Sequence, residues 1–125
     1  PYPSTPQTPG KRRMQELPMD EAVRTVIEEK IKSHPIVVFM KGTKNFPQCG
    51  FSASVVEVFK RLGASIHDVN VLADPTIRQG IKDFSNWPTI PQVYINGKFV
   101  GGRDIIVEMY ESQELQPLVE AAAAK

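Results

Sequence analysis

Cys49 stands in the stretch Phe46-Pro47-Gln48-Cys49-Gly50-Phe51-Ser52 and is the only cysteine in the chain. A single thiol closes no disulfide within one copy and fills no metal coordination sphere alone. Three roles stay open for it: a buried structural thiol, a nucleophile, or one ligand of a shared metal group. Its setting favours a reactive thiol. The loop around it is polar and contains Pro and Gly, which is a poor place for a core side chain. A helix is expected to begin immediately after it, and backbone N–H groups at a helix start favour the thiolate, with Lys41 as a nearby cation.

Three further groups of residues have types that suit a small peptide-like ligand. Trp87-Pro88-Thr89-Ile90-Pro91 contains an Ile-Pro bond, which reaches the cis form far more cheaply than any non-proline bond. A cis bond there would let Ile90 offer its backbone N–H and C=O to a peptide. Gly101-Gly102 followed by Asp104 places close-approach backbone, helix-start amides and a carboxylate together, which suits an amino-acid head group. Arg78 and Lys82 lie one helical turn apart and can clamp a carboxylate. Each signal is weak alone, since turns of Gly-Gly, X-Pro bonds and basic helix faces are common. His34 and His67 are read as structural, away from the Cys49 loop, and Trp87 as a packing residue beside the site.

The elements that must position these residues follow from periodicity. Val23, Val26, Ile27 and Ile31 recur at helical spacing after Asp20 and Glu21, and Pro35 ends that helix. Ile36 to Met40 is a continuous apolar run, as expected of a buried parallel strand. Val55, Val56, Phe59 and Leu62 mark a second helix, closed by Gly63. Ile66 to Val71 alternates and reads as a strand. Asp74 and Pro75 are an N-cap and first helical position, with Ile77, Ile81 and Phe84 on the apolar face. Gln92 to Ile95 and Lys98 to Val100 flank Asn96-Gly97, a strong hairpin signal. Ile105, Ile106 and Met109 begin a further helix, and the chain ends in a helical, Ala-rich tail. The order α-β-α-β-α-β-β-α predicts an α/β domain of the thioredoxin-like kind, a four-stranded mixed sheet flanked by helices.

The 125 residues, 41% of them apolar, suit one domain with a real core. A net charge of +1 gives no field that would draw nucleic acid. No apolar run approaches the roughly 18 residues of a membrane span. Lack of an internal disulfide favours a reducing compartment. Five of the eleven prolines fall in residues 1–18, among Ser, Thr, Gln and Gly. That segment is expected to be disordered, because it cannot bury enough surface to offset its ordering entropy, and residues 19–125 are expected to form the folded domain. The sequence starts without Met, consistent with a trimmed chain or the mature end of an import precursor. Lys11-Arg12-Arg13 reads as a solvated charge run or a remnant of a targeting region.

Taken together, FMKGT, FPQCGFS and RQGIKDFSNWPTIPQVYINGKFVGG stand in the order and spacing of the monothiol glutaredoxins of the CGFS class, which the chain resembles from about Asp20 to Leu118. Its length is similar to the single-domain, mitochondrial type. The resemblance implies a thioredoxin-like fold with a cis-proline at Pro91. It implies glutathione and a 2Fe-2S cluster as cofactors, with Cys49 as the catalytic thiol, the cluster ligand and the glutathione-facing sulfur. Lys41, Arg78 and Lys82 match the positions that bind the glycine carboxylate of glutathione. Ile90 matches the backbone contact to its cysteinyl part, with Phe51, Thr89 and Pro91 beside it. Gly102, Arg103 and Asp104 match the pocket for the γ-glutamyl end. Family members often carry Cys or Ser where this chain has Arg103, so its cation beside that pocket is a departure. Lys44, Asn45 and Phe46 vary in the family and are given no role.

An all-sulfur 2Fe-2S cluster takes four thiolates. Cys49 and one glutathione supply two, and a second copy supplies the rest. The resemblance therefore implies a homodimer bridged by the cluster, exchanging it with iron–sulfur assembly and recipient proteins; a further reading is a binding module that regulates iron handling through a partner such as a BolA-type protein. The alternative is a glutathione-dependent thiol-disulfide oxidoreductase, in which Cys49 accepts glutathione from a mixed disulfide and a second glutathione releases it. The expected location is the mitochondrial matrix, with plastid or cytosol as alternatives, and no nucleic-acid or membrane partner is expected.

Overall fold

The computed structural model describes residues 21–123. The expected disorder of residues 1–18, and the start of the first helix at Asp20, lie outside the described residues.

Along the chain the elements are α1 (Glu21–Ser33), β1 (Ile36–Met40), α2 (Gly50–Arg61), β2 (His67–Asn70), α3 (Pro75–Ser85), β3 (Gln92–Ile95), β4 (Lys98–Gly101), α4 (Arg103–Glu111) and α5 (Leu115–Ala123). The strands form one sheet in the order β2-β1-β3-β4. β1 and β2 run parallel, with Val38 opposite Asp68, while β3 is antiparallel to both β1 and β4. The chain therefore has the α/β, thioredoxin-like fold with a four-stranded mixed sheet.

β1 lies between two strands and beneath helices on both faces, which is why its five residues read as an unbroken apolar run. Val38 and Met40 pack with Val55, Phe59, Ile106 and Leu115, in the layer formed with α2, α4 and α5. Val37 and Phe39 point the other way, into Ile27, Ile31, Ile77, Ile81 and Tyr94, the layer formed with α1 and α3. α1 and α3 approach closely at Gly80, where an added Cβ would lie 2.6 Å from Val23 Cγ1.

Local chemistry sets the element ends. Asp74 Oδ1 accepts hydrogen bonds from the backbone N–H groups of Thr76 (3.0 Å) and Ile77 (3.4 Å), with Pro75 at the first helical position of α3. α2 closes as expected at Gly63, whose φ is +69°, with the N–H of Ala64 donating to the Phe59 carbonyl (3.0 Å) and that of Gly63 to Lys60 (3.0 Å). The same pair of bonds ends α4, where Glu114 donates to Met109 (2.9 Å) and Gln113 to Tyr110 (3.1 Å). Here Gln113 takes the left-handed position at φ +68° and separates α4 from α5. Asn96 and Gly97 both have positive φ (57° and 80°), as a tight hairpin turn between β3 and β4 requires. β2 is shorter than the alternating stretch Ile66 to Val71. It ends at Asn70, whose Oδ1 accepts from the N–H groups of Gly42 and Leu72 (both 3.0 Å) and so turns the chain. Among the described residues no helix is long and apolar enough to cross a membrane.

Candidate functional site

Cys49 is the N-cap residue of α2, partly exposed, with extended backbone (φ −149°, ψ 136°). The loop that delivers it from β1 is tied down at several points. Gln48 N–H donates to the Lys41 carbonyl (2.9 Å), Thr43 and Phe46 exchange backbone hydrogen bonds (3.2 and 3.1 Å), and Lys44 N–H donates to Asp68 Oδ2 (2.8 Å). Lys44 Nζ also donates to the Ile66 carbonyl (3.1 Å), so this loop residue fastens the loop to the start of β2.

The thiol makes no closed side-chain cap hydrogen bond. Its pKa nonetheless lies below the ordinary thiol value, chiefly because the Ser52 backbone N–H faces the sulfur. Partial burial opposes this, while the Phe51 N–H, the charge of Lys41 and the Ser52 hydroxyl add to it. Ser52 is fully buried, and its Oγ accepts a hydrogen bond from Lys41 N–H (3.2 Å). It thus ties the end of β1 to the first turn of α2. In the sequence Ser52 stands only as the end of the Cys49 stretch. No local signal marks this role, because its partner Lys41 lies eleven residues earlier in the chain.

Beside Cys49 opens a cavity of about 350 Å³, within the roughly 300–1,000 Å³ usual for small-ligand sites. Lys41 lines it from the end of β1, Phe51 from α2 and Lys82 from α3. Trp87, Thr89, Ile90 and Pro91 come from the loop before β3, and Gly102, Arg103, Asp104 and Ile105 from the start of α4. Ile90-Pro91 is cis. Nine residues expected from sequence at a glutathione site thus converge from five segments. Cys49 itself stands beside the cavity, outside its lining, and Arg78 lies exposed on α3 without reaching it.

Two glycines let α4 start where it does. Gly101 has φ +155°, and a Cβ there would lie 2.7 Å from Ile105 Cβ. A Cβ on Gly102 would meet the Pro91 carbonyl oxygen at 3.2 Å and Trp87 Nε1 at 3.3 Å. Trp87 is therefore part of the cavity wall and abuts the α4 start, a closer role than the packing one expected. Its Nε1 is a buried donor with no hydrogen-bond partner among the described residues, as is Arg103 Nε. Arg103 lays its guanidinium over the Phe51 ring (5.3 Å to the centroid) and donates from Nη1 to Asp104 Oδ1 (2.7 Å).

In the sequence Gln92 reads only as a strand residue. It is fully buried, and its Nε2 donates to the carbonyls of Trp87 (3.0 Å) and Thr89 (3.3 Å) while Oε1 accepts from Tyr94 OH (3.2 Å). This side chain staples the Trp87–Pro91 loop to the sheet. A buried Gln at the first residue of an otherwise apolar strand is the signal that could have revealed it. His34 and His67 stack on each other at 4.0 Å, with ring planes 8° apart, where β1 begins and away from Cys49.

Such a fold, with one thiol at the first helix after the central strand and a peptide-sized cavity walled by a cis-proline loop, defines a thioredoxin-like domain of the monothiol kind. Comparisons with known proteins agree. The glutaredoxin family model matches residues 36–100. A monothiol glutaredoxin of the cyanobacterium Synechocystis (ycf64-like) is 52% identical over 106 residues, covering 85% of this chain and 99% of that protein. Mitochondrial monothiol glutaredoxin-5 of Saccharomyces cerevisiae is 50% identical over 105 residues, covering 82% of this chain and 70% of the yeast protein. Chloroplastic monothiol glutaredoxin-S14 of Arabidopsis thaliana is 45% identical over 114 residues, covering 91% and 66%. Among solved structures, reduced apo GrxS14 of poplar superposes with a TM-score of 0.73 at 51% identity, covering 82% of this chain and 94% of that one. A buckwheat glutaredoxin in complex with glutathione gives 0.74 at 26% identity, covering 86% and 98%. The chain belongs to the glutaredoxin family, among its monothiol members of the CGFS class.

Proposed function

We propose that this chain binds glutathione and, as two copies, holds a 2Fe-2S cluster that it passes to iron–sulfur recipient proteins. The observation that carries this reading is the pairing of a partly exposed, easily ionised Cys49 with an adjacent cavity of complementary charge. Lys41 and Lys82 offer cations to a terminal carboxylate. Asp104 and the first amides of α4 offer an acceptor and donors to an amino-acid head group.

Bound glutathione would supply a second thiolate beside Cys49. Donor counting then calls for a second copy, since four thiolates are needed and, among the described residues, Cys49 belongs to no cluster of three or more ligating side chains. The surface around the thiol suits a partner. Phe46 and Phe51 are 74% and 57% exposed on either side of Cys49, an unusual display for two aromatic rings. Among the described residues nothing lies within 4 Å of where a Gly50 Cβ would be, so none of them requires a glycine there. An approaching second copy would. The named locations of the relatives, mitochondrial in yeast and chloroplastic in Arabidopsis, support an organellar site of action, with the mitochondrial matrix as our assignment.

A second reading rests on the same depressed pKa: Cys49 as a nucleophile that takes glutathione from a protein mixed disulfide. Anaerobic reconstitution with iron, sulfide and glutathione separates the two, followed by visible absorption and mass in solution. The cluster reading expects a visible 2Fe-2S spectrum together with a dimer, both lost in Cys49→Ser and when glutathione is omitted. A colourless monomer that rapidly reduces a glutathione mixed disulfide would overturn it in favour of the oxidoreductase.

A further inference from the structure

Arg103 stands at the first helical position of α4, where a cation faces the positive end of the helix dipole. Propensity therefore does not explain it. Its neighbours hold it in place: Asp104 Oδ1 accepts from Nη1 at 2.7 Å and the Phe51 ring lies 5.3 Å beneath the guanidinium carbon. Both contacts are made at the cavity wall, and Arg103 Nε remains a buried donor without a partner among the described residues. The Arg103–Asp104 pair is solvent-accessible, with side chains 41% and 87% exposed, so it is weak and readily exchanged.

We propose that Arg103 is a specificity-determining residue whose side chain reads the α-carboxylate at the γ-glutamyl end of the ligand. This rests on the glutathione reading above. An amino-acid head group carries an ammonium and a carboxylate on one carbon, the mirror of the charges on Asp104 and Arg103. When the ammonium takes the Asp104 carboxylate, the guanidinium loses its own partner. The ligand carboxylate then replaces it, bridging the guanidinium and the first amides of α4. A head group lacking the carboxylate displaces Arg103 from Asp104 and returns nothing to it. Discrimination against such ligands is therefore stronger with Arg at this position than with a small neutral residue.

Calorimetric titration of the full chain tests this with glutathione and with 4-aminobutyryl-cysteinylglycine, which keeps the amine and lacks the α-carboxylate. The two ligands are compared on the unsubstituted chain, Arg103→Ser and Arg103→Lys. The expected ratio of affinities is on the order of 10- to 100-fold in favour of glutathione, as for a charge-assisted hydrogen bond. It should fall about 10-fold in Arg103→Ser and be partly restored in Arg103→Lys. A purely structural role would weaken both ligands alike and leave the ratio unchanged, which overturns the proposal. If glutathione binds the unsubstituted chain but shows no preference over the analogue, the Arg103 assignment fails alone. If glutathione does not bind at all, the glutathione reading fails and this inference with it.

Discussion

At the residue scale, Cys49 owes its chemistry to three neighbouring residues, Ser52, Phe51 and Lys41. The Ser52 amide, the Phe51 amide, the Lys41 charge and the Ser52 hydroxyl all favour the thiolate against partial burial. The rate of alkylation of Cys49 should therefore reach half its maximum at a pH below the ordinary thiol value, and Lys41→Gln should move that midpoint upward. A midpoint unchanged by the substitution would remove Lys41 from the site's electrostatics. Gly50 makes a sharper case, because folding and assembly predict opposite outcomes. Gly50→Ala places a methyl where nothing among the described residues lies within 4 Å, at the first position of α2, and Ala loses less backbone freedom on folding than Gly. The thermal midpoint should hold or rise, while the visible chromophore of the reconstituted protein weakens. A fall in both would assign Gly50 to folding instead.

At the element scale, α3 matters because it carries Lys82 to the cavity. Its start depends on Asp74, so Asp74→Ala should cost about 1 kcal/mol in chemical denaturation, with weaker glutathione binding as the first turn frays. Stability without change would mean that Pro75 alone begins the helix. The turn between α4 and α5 offers the opposite test. Gln113 holds φ +68° in a motif that usually employs Gly, and Gln113→Gly should raise stability by about 1 kcal/mol. Lost stability there would show that the Gln113 side chain makes a contribution greater than its backbone cost. The caps at Asp74 and Gly63 and the hairpin turn were legible in the sequence, because their residue types answer to local backbone geometry alone, whereas Gln113 carries no such mark. Gln92 was not, since its hydrogen bonds to Trp87 and Thr89 exist only when β3 is buried beneath that loop.

At the scale of the whole molecule, two distant ends of β1 have different sensitivities to pH. His67 is held below the ordinary imidazole pKa, first by burial and then by the stacked His34, with Lys30 and Lys44 adding and Asp68 opposing. A folded-state pKa below the unfolded one means that the unfolded chain binds more protons. The contribution of His67 is therefore fully present above about pH 6.5 and is lost as the pH falls toward its folded value. His67→Asn should flatten the acid side of the stability profile over that window without affecting Cys49 alkylation. An unchanged acid slope would locate the sensitivity elsewhere. The sequence by itself determined the order of elements, the thioredoxin-like sheet, the single thiol at a helix start and the cis-proline loop. Those features rest on local periodicity, capping and turn chemistry, and on motif spacing that a family resemblance makes specific. Only the tertiary structure decided which polar residues share a cavity. It brought Lys41, Lys82 and Asp104 together from three elements, left Arg78 outside, buried Ser52 and Gln92 as supports, and set Arg103 between Phe51 and Asp104. The physical reason is that such convergence depends on sheet order and helix packing, which bring together residues that carry no mark of one another along the chain.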